Sequence, residues 1–151
     1  MLLGLDPLLT GDLLKVLRDM GHGDTICIAD CNFPAHEIAR RAGVPCISLA
    51  TDTATAAKAV LSVMPLDSFV EHPVHRMQVC ANPGEPNEAH KDFLAAVHAT
   101  AGDRWQMGGT ERFAFYEEAA KCAAIITTLD RRGYACFLLA KGVLGPDGNV
   151  A

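Results

Sequence analysis

No basic stretch interleaved with aromatic residues occurs anywhere in the 151 residues, and the net charge is −5. A nucleic-acid surface, which neutralises phosphates with clustered Lys and Arg, is therefore not expected. An anionic sugar phosphate is not excluded, because a single local arginine outweighs the global charge. No apolar run approaches the roughly 20 residues that a membrane span needs. The opening Met1-Leu2-Leu3-Gly4-Leu5-Asp6 has no basic flank and meets an acid at once, so it does not read as a leader peptide, and a cytoplasmic protein is expected. The dinucleotide fingerprint Gly-x-Gly-x-x-Gly, the phosphate loop and the Gly-x-Ser-x-Gly nucleophile elbow are all missing. Asp103 and its neighbouring acids form no catalytic carboxylate pair. No internal repeat, linker or low-complexity segment interrupts the chain.

Six cysteines are present: Cys27, Cys31, Cys46, Cys80, Cys122 and Cys136. A disulfide framework is the weaker reading, since a chain of this size needs no staples. Cys27, Cys46 and Cys122 lie in apolar runs, where a free thiol acts as a small hydrophobe. Cys27 and Cys31 are followed by no second Cys/His pair at finger spacing. His72 and His75 flank Pro73, which argues against the helix that their spacing would need to bind a metal, with or without His36. Neither a metal nor a cofactor is expected.

Half of the residues are hydrophobic and 21% are charged, an ordinary globular balance. Thr10-Gly11-Asp12 reads as a helix start, with Leu13, Leu14, Val16, Leu17 and Met20 on one face and Gly21 ending it. Thr25-Ile26-Cys27-Ile28-Ala29 reads as a strand, and Asn32-Phe33-Pro34 as a turn into a helix through Arg41. Residues 44–49 form a second strand that Pro45 confines to an edge or a strand start. A helix over 53–64, strands over 68–71 and 76–80, a loop over 82–87 and an amphipathic helix over 88–100 follow. Phe93, Leu94 and Val97 face inward on that helix, and His90 and His98 fall on its solvated side. Gly108-Gly109 marks a turn, 113–121 a helix, and 122–127 and 134–139 apolar strands. This alternation predicts an α/β fold of three layers with a parallel or mixed central sheet. It reads as one domain over 1–144, with a loose tail over 145–151.

His22 is the strongest chemical signal. It stands between Gly21 and Gly23, after a helix end and before a strand, where glycines let backbone and ligand approach closely. Asp30 follows the next strand, and ligand sites of α/β folds gather at the carboxyl ends of strands. A capping His22 and a turn-forming Asp30 would also fit the spacing. Arg112 could hold sugar hydroxyls or a carboxylate, or could be a surface residue at a helix start. Tyr134 opens the last strand and could bond a ligand or rim the core. A constellation of His, Asp, Arg and Tyr suits proton transfer on a polar substrate without a cofactor.

These residues sit in motifs that resemble the L-fucose mutarotase / D-ribose pyranase family. They are Leu13-Leu14-Lys15-Val16-Leu17, Met20-Gly21-His22-Gly23-Asp24, Ala29-Asp30, Asn32-Phe33-Pro34-Ala35, Met64-Pro65-Leu66-Asp67-Ser68-Phe69-Val70, Glu111-Arg112-Phe113-Ala114-Phe115-Tyr116-Glu117 and Leu138-Leu139-Ala140-Lys141-Gly142-Val143. The Arg-Phe-x-Phe-Tyr block is closer to the fucose branch. The resemblance implies an acid–base role for His22 and sugar binding by Asp30, Arg112 and the segment Tyr134-Ala135-Cys136. It also implies a ring-like homo-oligomer, typically a decamer, with sites at subunit contacts. Two departures stand out. Cys136 takes the place of the family's Asn, a far stronger hydrogen-bonding group than a thiol. Leu49-Ala50-Thr51-Asp52-Thr53 replaces the family's Arg-Ala-Asp-Gly.

The expected activity is mutarotation of a monosaccharide such as L-fucose. Imidazole exchanges protons in both directions near neutrality, which suits hemiacetal opening and closure. Two other readings remain open from the residues: a non-catalytic sugar-binding or regulatory module, which Cys136 favours slightly, and an isomerase of an anionic sugar held by Arg112 with Arg76 or Arg104.

Overall fold

The computed structural model describes residues 1–151. The chain runs α1 (Gly11–Asp19), β1 (Thr25–Ala29), α2 (Ala35–Ala42), β2 (Cys46–Ser48), α3 (Thr53–Leu61), β3 (Val74–Met77), α4 (Glu88–Ala101), β4 (Met107–Thr110), α5 (Arg112–Ala119), β5 (Ile125–Thr127) and β6 (Phe137–Ala140). The strands form one six-stranded sheet in the order β2-β5-β1-β6-β3-β4. Pairings of β1 with β5, β2 with β5 and β3 with β4 are parallel, whereas β6 runs antiparallel to both β1 and β3. Five strands therefore point one way and β6 alone the other. The expected α/β class holds, and the sheet is mixed.

Strand alternation splits the core between two faces. Ile26, Ile28, Ile126, Val74, Phe137 and Leu139 pack under α1, α3 and α4. Cys27, Ala29, Ile125, Met77, Cys136 and Leu138 pack under α2 and α5. Helices on both faces make the three layers. Phe93 of α4 stacks on Phe137 with ring centroids 3.6 Å apart, and both rings are fully buried. Truncating either to alanine removes about 3–5 kcal/mol of packing by the usual scale of such changes.

The helix ends are fixed by side chains, as orphan backbone groups require. The hydroxyl of Thr10 accepts from the Leu13 amide, and Asp52 from the Thr55 amide. At the other end of α1, Lys141 Nζ donates to the carbonyls of Leu17 and Met20, each at 2.6 Å. Buried Asp130, past the end of β5, accepts from the Thr53 hydroxyl at 2.8 Å and from Arg132. The Arg132 hydrogen bonds hold its carboxyl far below the usual carboxylate range.

Several elements differ from expectation. Gly108 and Gly109 lie inside β4 rather than in a turn. A Cβ on Gly108 would stand 2.9 Å from the His75 ring, and one on Gly109 would stand 2.6 Å from the Gln78 side chain. The glycines are there for close packing, not for bending. Residues 68–71 are turn and bend, and the strand placed at 76–80 is Val74–Met77. The last strand starts at Phe137, not Tyr134, because Tyr134 has φ of 61° and lies outside the strand region. His90 is fully buried rather than solvated. Residues 145–151 fold back: Leu144 bridges Val150, and the Ala151 amide donates to the Val143 carbonyl at 2.9 Å. β2 does lie at a sheet edge, as Pro45 requires.

Candidate active site

The strand directions sort the candidate residues into two groups. Asp30 follows β1, Arg112 follows β4 and Cys80 follows β3. All three lie beyond the carboxyl ends of parallel strands. Because β6 runs the other way, Tyr134, Ala135 and Cys136, which precede it, come to the same end. His22 precedes β1 and sits at the opposite end, beside Lys141, which follows β6: the Gly23 amide donates to the Lys141 carbonyl at 2.9 Å. The five residues of β1 alone separate the two ends by roughly 16 Å at a strand's rise.

At the carboxyl end, Asp30 is buried. Its Oδ1 accepts from the amides of Asn32 and Phe33, both at 2.9 Å. Its Oδ2 accepts from Cys136 Sγ at 3.4 Å. Burial, with the Asp30 carboxylate beside it, pushes the Cys136 thiol well above its ordinary range, so it stays a donor. Phe33 ties this corner to the arginine. It meets Tyr116 edge-on, with centroids 5.4 Å apart, and the Tyr116 hydroxyl accepts from Arg112 Nε at 3.0 Å. The Arg112 guanidinium stands 5.6 Å from the centroid of the Phe113 ring and 5.7 Å from that of Tyr116, a cation–π seat. Glu111 caps this turn of α5, accepting from the amides of Phe113 and Ala114. Those bonds hold its carboxyl below the usual range.

Tyr134 is the only residue other than glycine with positive φ. A conformation of this kind costs about 1–3 kcal/mol and persists where its surroundings impose it. Its phenol and the Arg112 guanidinium both lie beside the Cys80 thiol, a contact that raises the pKa of the phenol. Ala135 and Cys136 are buried beneath it. Cys136 thus reaches the surface chemistry through Asp30 rather than by direct exposure.

At the opposite end, the His22 imidazole is held in a tight loop. The Gly21 amide donates to Asp24 Oδ2 at 2.7 Å, and Gly23 adopts φ of 83°. His22 Nε2 lies 3.1 Å from Oδ1 of Asp67, which is buried and also accepts from the Phe69 amide at 3.0 Å. A carboxylate only accepts, so Nε2 carries the proton and Nδ1 is the free nitrogen of the neutral ring. The side chain of His22 is 48% exposed, and the Phe69 ring lies beside it at 5.3 Å. An open cavity of about 660 Å³ adjoins this loop, lined by Gly23, Thr25, Asp67, His72, His75 and Glu118 among others. His72 and His75 are T-shaped neighbours 6.2 Å apart. They do not gather with His36 into a set of metal ligands.

Sequence reasoning missed Asp67. It lies 45 residues from His22, and the pairing of the 65–69 turn with the end of β6, through the bridge of Leu66 to Lys141, unites them.

A model of the RbsD / FucU transport protein family matches residues 3–144. The chain belongs to that family. It is 30% identical over 147 residues to the L-fucose mutarotase of Histophilus somni (strain 2336), covering 95% of this chain and 97% of the relative. A crystal structure of a candidate sugar binding protein matches with 41% identity and a TM-score of 0.90, over 96% of this chain and 97% of that one. The fucose mutarotase of Streptococcus pneumoniae, solved in complex with L-fucose, matches with 29% identity and a TM-score of 0.83, over 95% of this chain and 100% of that one. No helix of this family member is long and apolar enough to cross a membrane.

Proposed function

We propose that this chain is a sugar mutarotase, an isomerase that interconverts the anomers of a monosaccharide, with L-fucose the first candidate. The observation that carries this reading is the His22 imidazole, half-exposed, set by the buried Asp67 carboxylate with one nitrogen left free. The likeness over nearly the whole chain to fucose mutarotases supports it.

The reaction asks little of the protein. A proton is delivered to the ring oxygen and another is removed from the anomeric hydroxyl. The C1–O5 bond breaks to give an open-chain aldehyde. The aldehyde turns about its C1–C2 bond, the ring hydroxyl attacks its other face, and the protons return. His22 serves as the acid–base group through Nδ1, worth roughly 10²- to 10⁴-fold for one positioned residue. Arg112 and Tyr134 hold sugar hydroxyls, and Asp30 with Cys136 closes the far wall. Holding the sugar in register adds to the rate by orientation.

His22 and the Arg112 group stand at opposite sheet ends, so one sugar does not reach both within one chain. We place the complete site between two subunits, with His22 from one and Asp30, Arg112 and Tyr134 from its neighbour, in a ring-like homo-oligomer expected as a decamer. An exposed phenylalanine flanks each half: Phe69 beside His22 and Phe113 beside Arg112. Assembly would cover both. All six cysteines are free, which supports a reducing, cytoplasmic setting.

The test is proton NMR exchange spectroscopy on equilibrated L-fucose, D-ribose, L-rhamnose, D-galactose and D-arabinose. Faster exchange between anomers of at least one sugar is expected. Binding without acceleration would replace this reading with that of a sugar-binding module.

A further inference from the structure

We propose that Asn87 and His90, on the first turn of α4, are positioning residues that hold Tyr134 in its left-handed conformation and so aim its phenol at the sugar. The consequence for the sugar rests on the mutarotase reading; the conformational part stands without it.

Two peptide planes flank the Cα of Tyr134, and each is tied by one hydrogen bond. Asn87 Nδ2 donates to the Gly133 carbonyl at 3.0 Å. His90 Nε2 lies 2.9 Å from the Tyr134 carbonyl. Rotation about φ moves the first plane, and rotation about ψ moves the second. Two bonds therefore fix both dihedrals of the one non-glycine residue with positive φ.

The donors are themselves fixed. Asn87 and His90 form a reciprocal cap: the His90 amide donates to Asn87 Oδ1, and the Asn87 amide donates to His90 Nδ1, both at 3.0 Å. Because Nδ1 accepts, the proton of the neutral ring is on Nε2, so His90 donates to Tyr134. Burial lowers the pKa of His90 and keeps it neutral, as this role requires. The ring is fully buried and meets Phe137 edge-on at 5.8 Å, so it has no room to swing. The loop leading to Asn87 is pinned by buried Arg76, whose Nη2 donates to the carbonyls of Pro83 at 3.2 Å and Gly84 at 3.4 Å. All of this polar structure stands behind a residue whose phenol lies beside Cys80 and near Arg112. It would be surplus if Tyr134 merely rimmed the core.

Asn87→Asp separates the roles within the cap. The aspartate keeps the oxygen that accepts from the His90 amide and loses the donor to Gly133. His90→Phe removes both of that residue's bonds, and His90→Gln restores a donor. The chain has two tyrosines, so carbon-13 labelling of tyrosine gives two Cα resonances, and the Tyr134→Gly variant assigns them. The expected result for Asn87→Asp is a Tyr134 Cα shift displaced from its left-handed value. With it comes a KM raised by about tenfold and a kcat within about twofold of the parent, the size of effect that misplacing one contact produces. His90→Phe is expected to do the same and His90→Gln to recover most of it. In the Tyr134→Gly background, where glycine takes the conformation freely and no phenol remains, Asn87→Asp is expected to add nothing. An unchanged Tyr134 shift in Asn87→Asp, or an equal rise in KM in the Tyr134→Gly background, overturns the proposal. Should the parent protein accelerate no sugar, the mutarotase reading fails, and the Tyr134 shift still decides the positioning role by itself.

Discussion

Replacing His22 by alanine is expected to slow sugar anomer exchange by roughly 10²- to 10⁴-fold, the contribution of a single positioned acid–base group. The side chain is 48% exposed and makes one polar contact, to Asp67. Little buried area is lost with it, so thermal unfolding should move by no more than a few degrees. Sugar affinity should change little, because the groups proposed to hold hydroxyls lie at the other end of the sheet. Exchange spectroscopy at saturating sugar, run beside a thermal melt, reads both quantities. Parent-like exchange in a folded His22→Ala protein would remove His22 from the chemistry.

The second large effect concerns Asp67. Asparagine is nearly isosteric with the buried aspartate, and its carbonyl oxygen could still accept from His22 Nε2 and from the Phe69 amide. What it lacks is the charge that stabilises the imidazolium formed when His22 takes a proton. It also lets the histidine choose either tautomer, since an amide both donates and accepts. By analogy with carboxylates that orient a catalytic imidazole elsewhere, Asp67→Asn is expected to lower kcat by about tenfold to a thousandfold. KM should be nearly unchanged, which distinguishes this variant from Asn87→Asp. An unchanged kcat would reduce Asp67 to a turn former.

Much of this fold can be read from local rules. The glycine-flanked His22, the turn at Asp30, the cap before α5 and the edge position of β2 each follow from residues within a few positions of one another. Gly108-Gly109 misled for a physical reason. Glycine in sequence signals either freedom to turn or lack of bulk, and only the His75 and Gln78 side chains packed over β4 show which applies. Helical periodicity puts His90 on the solvated side of α4, yet it caps that helix from within. Asn87 and His90 stand three apart, the spacing of a capping box, but the expected partner at that position is Glu or Gln, so a histidine went unrecognised. The pairing of His22 with Asp67 had no local signal at all.

The largest difference lies between chemistry and placement. His22 and Asp30 are only eight positions apart in the sequence. An intervening extended strand instead carries them to opposite ends of the sheet. Arg112, Tyr134 and Cys136 are distant in sequence from Asp30, yet they join it because β6 alone runs against its neighbours. Residue types point to a chemistry, and strand direction decides which residues can share a ligand.

The proposed division of the site between two subunits is tested most directly by mixing two impaired chains. Co-assembled at equal amounts, His22→Ala and Arg112→Ala subunits should recover about a quarter of the parent exchange rate. Half of the His22 positions and half of the Arg112 positions are intact, and random pairing across a repeated interface brings intact halves together in that proportion. Exchange no faster than the average of the two variants measured separately, in an assembly confirmed to be mixed, would contradict the account of a site shared by His22 and Arg112 across subunits.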